Sequence, residues 1–258
     1  MNNALDELLQ QPGIWRGGMP QSEVGRHYIA TGYDDLDHAL PGGGWPSGTL
    51  TEILHDHSGI GELRLLMPAL AQLSRQGRWV AMIAPPYIPY APALAAQGVD
   101  LSRLLLIHPK ADKDSLWALE QALRAGTCGA VLAWPQGIDE RALRRLQLAA
   151  ETGKSWGILF RSRAEAAQTS TAALRLELDP SDKGIDIRFL KCRGALAQQE
   201  VSLDLERRLP AAEAPAPRGG LSLHARSQRV RGLSQLDLPL PPGSVGGQRP
   251  TEPPRPNR

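Results

Sequence analysis

Short apolar runs alternate with amphipathic stretches through the middle of this chain. Residues 49–54, 79–84, 103–107, 130–134 and 156–160 are compact and apolar, so each predicts a strand buried on both faces. Between them the spacing of apolar positions predicts helices over 61–75, 89–97, 112–125 and 138–152. In the first of these, Leu63, Leu66, Met67 and Leu70 recur at helical spacing. Strands alternating with helices predict βαβ units and a mainly parallel sheet covered on both faces. After Phe160 the period changes. The runs LRLEL (174–178), IDIRFL (185–190) and EVSLDL (200–205) alternate apolar with polar, and Asp182-Lys183-Gly184 supplies a turn. That pattern predicts an antiparallel meander extending the sheet. In front, residues 3–10 predict a short amphipathic helix, and Trp15 sits in a Gly/Pro-rich connector. The sequence carries no internal repeat.

Composition divides the chain. Of its 22 prolines, ten fall in residues 210–258, where seven arginines stand against Glu213, Asp237 and Glu252 for a net charge of +4. The whole chain carries only +2, so residues 1–209 sum to −2. A Pro/Arg-rich segment buries too little apolar surface to offset its ordering entropy and is expected to be disordered. The expected organisation is an N-terminal helix and connector (1–28), an α/β domain (29–209) and a tail (210–258). Within the tail, residues 221–240 intersperse Leu, Val and Arg, including Arg226, Arg229 and Arg231. That stretch reads either as a linker or as a partner-binding segment that orders on contact. A near-neutral domain is a poor match for a polyphosphate backbone, so any unspecific affinity for nucleic acid belongs to the tail. The start, MNNALDELLQQ, is too acidic and polar for a secretory signal. Two cysteines, Cys128 and Cys192, lack metal-binding spacing and suggest free thiols in a reducing compartment, the cytoplasm.

The richest local signal is TLTEILHDHSGIGELRLL, residues 49–66. A strand runs into a Gly-containing loop and then into a helix, the outline of a phosphate-binding loop. The motif G-x-x-x-x-G-K-[ST] grips a triphosphate with backbone amides, a lysine and a magnesium-holding hydroxyl. Taking Gly61 as the second glycine puts Asp56 at the first, Glu62 at the lysine and Leu63 at the hydroxyl. Two like charges about 4 Å apart at an effective dielectric of about 20 repel by roughly 4 kcal/mol. Ser58, Gly59, Gly61 and Glu62 are therefore expected to be a degenerate remnant that holds no cofactor. The literal Gly153-Lys154-Ser155 follows a helix and precedes a strand, the reverse of what the motif requires, and Gly153 is expected to be a helix C-terminal glycine.

The order of elements resembles the RecA recombinase core over residues 28–205. Ile29-Ala30-Thr31-Gly32, Leu36-Asp37, Ala39-Leu40 and Gly42-Gly43-Gly44-Trp45-Pro46-Ser47-Gly48 look like its lead-in, while Gly98-Val99-Asp100 and Phe189-Leu190-Lys191-Cys192-Arg193 match later parts. The runs GIGELRLLMPALAQL and GRWVAMIAPPYIPYAPALAAQGVDLSRLL resemble the translesion-synthesis-associated ImuA proteins, grouped with the SulA division inhibitors. The resemblance implies a RecA-like fold with most of RecA's working residues replaced. Pro86 stands where the water-orienting glutamate belongs, and Trp134 where the Walker B aspartate belongs. The loop after Phe160 retains Arg161 and Arg163 but no aromatic for base stacking. Lys191 and Arg193 match RecA positions facing a protomer interface and become candidate subunit contacts.

The expectation is therefore a pseudo-ATPase acting through protein contacts in SOS mutagenesis. By resemblance its partners are ImuB, an error-prone polymerase and sliding clamp reached through ImuB, and RecA. The alternatives are a SulA-like inhibitor of the division GTPase and an ATPase with an unconventional site. Tyr87 and Tyr90, in a proline-stiffened loop at the sheet's functional edge, are candidate partner contacts. Trp79, Trp117, Trp134 and Trp156 fall in or beside predicted elements and are expected to pack in the core. Arg141, Arg144 and Arg145 are expected on the wet face of their helix. His55-Asp56-His57 reads as a solvated loop before a metal half-site, Asp37 and His38 being the near candidates for completing one.

Overall fold

The apolar runs pair into one eight-stranded sheet in a computed structural model that describes residues 27–109, 111–193 and 199–205. The expected helix at 3–10, Trp15 and the tail with Arg226, Arg229 and Arg231 lie outside the described residues. Two units divide the chain, Met1–Ala214 and Pro215–Arg258, and every described residue belongs to the first.

The strands are β1 (Tyr28–Ile29), β2 (Trp45–Pro46), β3 (Leu50–His55), β4 (Trp79–Ile83), β5 (Leu104–Ile107), β6 (Cys128–Ala133), β7 (Trp156–Ser162), β8 (Leu174–Ser181), β9 (Gly184–Cys192) and β10 (Glu200–Asp204). The helices are α1 (Asp34–Ala39), α2 (Glu62–Arg75), α3 (Ala91–Ala96), α4 (Asp112–Arg124) and α5 (Glu140–Gly153). The main sheet runs β10-β9-β8-β3-β7-β6-β4-β5. From β8 to β5 every neighbouring pair is parallel, and β9 and β10 add antiparallel pairings at the other edge. The expected α/β class, with a mainly parallel sheet and an antiparallel extension, is thus what forms. β1 and β2 pair separately.

Both faces are covered over the central strands, but β5, expected to be buried on both faces, lies at the sheet edge with Leu105 and Leu106 exposed. One core gathers Leu65, Leu66 and Leu70 of α2 with Leu36 of α1, Leu94 of α3 and the lead-in Trp45. The other gathers Leu119 and Leu123 of α4 with Leu143 and Leu146 of α5. β3 lies inside the sheet between β7 and β8, with all six residues buried. This central strand delivers the Gly59–Glu62 loop to the carboxyl end of the parallel strands, where open α/β sheets place ligands.

Another expectation needs correction: Trp117 is 64% exposed on α4 rather than packed in the core, whereas Trp156 is fully buried and Trp79 and Trp134 are half-buried. Gly153 is the C-terminal residue of α5, as expected, and the left-handed cap is Lys154, at φ 49° and ψ 35°. The glycine has a packing role too: a Cβ there would lie 2.0 Å from the Leu123 carbonyl oxygen, so the close approach of the two helix ends at this point leaves no room for a side chain.

Candidate functional site: a glycine loop closed by its own carboxylate

Gly59 and Gly61 both take positive φ, 92° and 113°, so the turn after β3 has the backbone that a phosphate cradle needs. The cradle is filled from within. The Glu62 carboxylate accepts hydrogen bonds from the Gly59 amide at 2.8 Å and from the Gly61 amide at 3.1 Å. Glu62 is 5% exposed and opens α2, where a negative charge favours the helix dipole. Besides repelling a phosphate by its charge, Glu62 occupies the Gly59 and Gly61 amides that an incoming anion would need. A Cβ on Gly61 would meet Leu205 Cδ1 at 2.6 Å, and Arg64 Nη2 donates to the Leu205 carbonyl at 2.5 Å, so the end of the meander packs over the loop.

Beside this loop lies a cavity of about 180 Å³ lined by Ser58, Gly59, Glu62, Leu63, Pro85, Pro86, Tyr87, Pro89 and Trp134. The structure therefore brings Ser58, Gly59, Glu62 and Tyr87 together with Pro86 and Trp134, the two positions that the RecA resemblance sets against carboxylates. Trp134 stacks on Phe160 with ring centres 4.7 Å apart, and Phe160 meets His55 edge-on at 6.1 Å. Where charge chemistry is expected by resemblance, the walls are aromatic rings and prolines. Tyr87, Ile88 and Tyr90 are 75%, 80% and 73% exposed, an apolar ridge at the cavity's edge. Tyr90 does not line the cavity but sits at the N-cap of α3.

A second set of charged residues is missing from the sequence reading. Glu52, fully buried in the middle of β3, accepts from Arg161 Nη1 at 2.9 Å, Arg175 Nε at 2.6 Å and Ser170 Oγ at 2.7 Å. Arg175 also donates to the carbonyls of Glu165, Ala166 and Gln168, strapping that loop to the sheet. Arg161 is thus committed to an internal ion pair. Arg163 pairs with Glu177 at 2.7 Å and Asp179 at 2.5 Å, so neither arginine is a free loop cation for nucleic acid. The available signal is a glutamate and two arginines inside otherwise apolar strands, a pattern that demands mutual pairing.

Lys191 donates to the Ser170 carbonyl at 2.7 Å, and burial, with Arg175 and Arg193 nearby, pushes its amine below the ordinary lysine range. Arg193 stands away from the glycine loop, on another cavity. Arg141, Arg144 and Arg145 are exposed on α5, as expected of its wet face. His55 is buried, and neither ring nitrogen has a hydrogen-bond partner among the described residues. Asp56 is 3.5 Å from Arg163, Asp37 accepts from the Thr31 amide, and His38 engages the Asp34 carbonyl. Among the described residues no group of three or more ligand-type side chains is arranged to hold a metal, and no helix is long and apolar enough to cross a membrane.

Both thiols are free. Burial raises the Cys128 thiol and pushes Cys192 up to about 11. Thiolate is the reactive form, so at pH 8 iodoacetamide should label both slowly in the folded protein and rapidly in urea. Fast labelling of Cys192 without denaturant would contradict this.

Comparison with known proteins places the chain beside one group. The sequence model of a family described as Cell division inhibitor SulA matches residues 48–157. SulA of Pectobacterium carotovorum is 30% identical over 115 residues, covering 44% of this chain and 68% of that protein. SulA of Pectobacterium atrosepticum is 28% identical over 145 residues, covering 55% and 86%. The crystal structure of SulA from Pseudomonas aeruginosa is 30% identical, covers 43% of this chain and 97% of its own, and superposes with a TM-score of 0.38.

Proposed function

We propose that this chain, which belongs to the SulA family, acts as a cell division inhibitor by protein contact rather than turnover. The observation that supports this reading is the Glu62 carboxylate seated on the Gly59 and Gly61 amides, beside the exposed Tyr87, Ile88 and Tyr90. A nucleotide would have to displace a buried, doubly bonded carboxylate and then find neither lysine nor metal-holding acid. On this reading the fold derives from a RecA-like core whose nucleotide end has become a protein-binding end, working in the cytoplasm. Aromatic side chains in a proline-stiffened loop lose little entropy on docking, so they suit an interface anchor.

Overexpression should produce filamentous cells, and the purified chain should block polymerisation of the division GTPase in light scattering. Substituting Tyr87→Ala and Tyr90→Ala together should weaken that inhibition at least about tenfold. Normal division and unimpeded polymerisation would remove the reading. Mg-ATP binding at micromolar strength, lost on changing Gly59 or Gly61, would overturn the pseudo-ATPase part.

One observation favours a second reading. The family match ends at residue 157, yet β8 pairs directly with β3, and β9 and β10 continue the same sheet. Those additional strands suit the ImuA-type role, an accessory in translesion mutagenesis contacting ImuB and RecA. Loss of damage-induced mutation on deletion, with division arrest intact and ImuB retained in pull-downs, would select it.

A further inference from the structure

Gly153-Lys154-Ser155, a decoy as a nucleotide motif, borders a second cavity. It has a volume of about 290 Å³ and lies at the opposite end of β3 from the Gly59–Glu62 loop, lined by residues including His27, Thr49, Gln147, Glu151, Lys154 and Arg193. Three features mark it as a built site. The first is backbone: Lys154 holds a left-handed conformation, φ 49°, where glycine is the unstrained choice and a lysine needs some other reason to stand. The second is a locked floor. Thr49 and Gln147 are each 8% exposed, and Gln147 Oε1 accepts from Thr49 Oγ1 and from the Leu50 amide, both at 3.1 Å. Gln147 Nε2 then donates to Glu151 Oε1 at 2.9 Å, and Ser47 Oγ donates to the Lys154 carbonyl at 3.2 Å, fixing one side chain and the cap itself.

The third feature is charge. Lys154 and Arg193 form no ion pair among the described residues, and Glu151 is the one carboxylate among the residues named here. Lys154 and Arg193, the two permanent cations, thus face one anion. A single carboxylate balances that set, whereas a doubly charged phosphate would meet Glu151 as well. The second oxygen of Glu151 is left to accept a backbone N–H, a group that accompanies the carboxylate in a peptide.

We propose that this cavity binds a carboxylate of a partner's peptide segment, held between Lys154 and Arg193. The shared chemistry has two sources, an Asp or Glu side chain and a free C-terminus. The contact is separate from the Tyr87 ridge and does not depend on which partner the ridge engages.

The test is an NMR titration of the full chain with three probes: acetyl-Gly-Glu-Gly-amide, acetyl-Gly-Gln-Gly-amide and acetyl-Gly-Gly-Gly free acid. A carboxylate probe should shift the amides of residues 47–49, 151–154 and 193 and bind at least about tenfold tighter than the Gln peptide. The Glu peptide prevailing assigns a side chain, and the free acid prevailing assigns a C-terminus. Lys154→Gly and Arg193→Gln should each weaken binding about tenfold. Lys154→Gly should nevertheless melt at or above the parent temperature, because glycine relieves the left-handed backbone. Equal binding of Glu and Gln peptides, no binding by either carboxylate at millimolar concentration, or full affinity in both Lys154→Gly and Arg193→Gln would overturn the proposal.

Discussion

Replacing Glu52 with alanine is expected to lower the unfolding free energy by about 3–5 kcal/mol, because it strands buried cations without a counter-charge. Arg161 is 3% exposed and Arg175 7%, and both point their guanidinium groups at this one carboxylate in the centre of the sheet. Arg161 keeps a pairing with Glu165, but Arg175 keeps only carbonyl partners. Urea unfolding followed by circular dichroism reads the loss. A companion variant, Glu52→Leu with Arg161→Met and Arg175→Leu, removes the charges together and should recover most of the stability, since a buried pair gains little over apolar packing. That variant should still release the 165–170 loop, which Arg175 straps down, and faster amide exchange there would show it. A loss below about 1 kcal/mol for Glu52→Ala would mean the cluster is hydrated, not buried.

Trp156→Ala should cost about 3–5 kcal/mol as well, by a different route. The Trp156 ring is fully buried at the start of β7, stacked on Trp45 with centres 5.2 Å apart, and its indole N–H donates to Thr51 Oγ1 at 2.9 Å. Removing it opens a cavity and leaves a buried hydroxyl short of a partner. Trp45 belongs to β2, so the ring pair is what fastens the glycine-rich lead-in to the sheet. Amide exchange should therefore quicken over residues 28–49 well before the sheet itself opens. Uniform exchange changes across the sheet would contradict the local role.

The same residues show where sequence reasoning reached its limit. Strands 49–54 and 156–160 were legible because both faces of a parallel sheet are apolar, so the run itself carries the message. β8 to β10 were legible from their alternation, which in β9 and β10 records one buried and one wetter face, whereas in β8 the polar Arg175 and Glu177 are buried as well. Trp117 was misread because periodicity places a residue on a helix without saying what covers that side. Gly153 was legible as a helix-ending glycine, but its packing requirement comes from Leu123, thirty residues away on α4. Glu62 was legible as a carboxylate beside two glycines in the loop after β3. Its bonding of Gly59 and Gly61 depends on two positive φ angles that no spacing encodes.

By itself, then, the sequence determined the alternation of elements, the class of sheet, and the placing of a glutamate directly after the Gly59–Gly61 loop. These are properties of each residue type and its near neighbours. Only the tertiary structure decided that Glu52 meets Arg161 and Arg175, that Arg163 is spent on Glu177 and Asp179, and that Lys154 and Arg193 share a cavity. Pairings across such separations are set by strand order and register, which local patterns constrain only weakly and which the packing of the whole sheet selects.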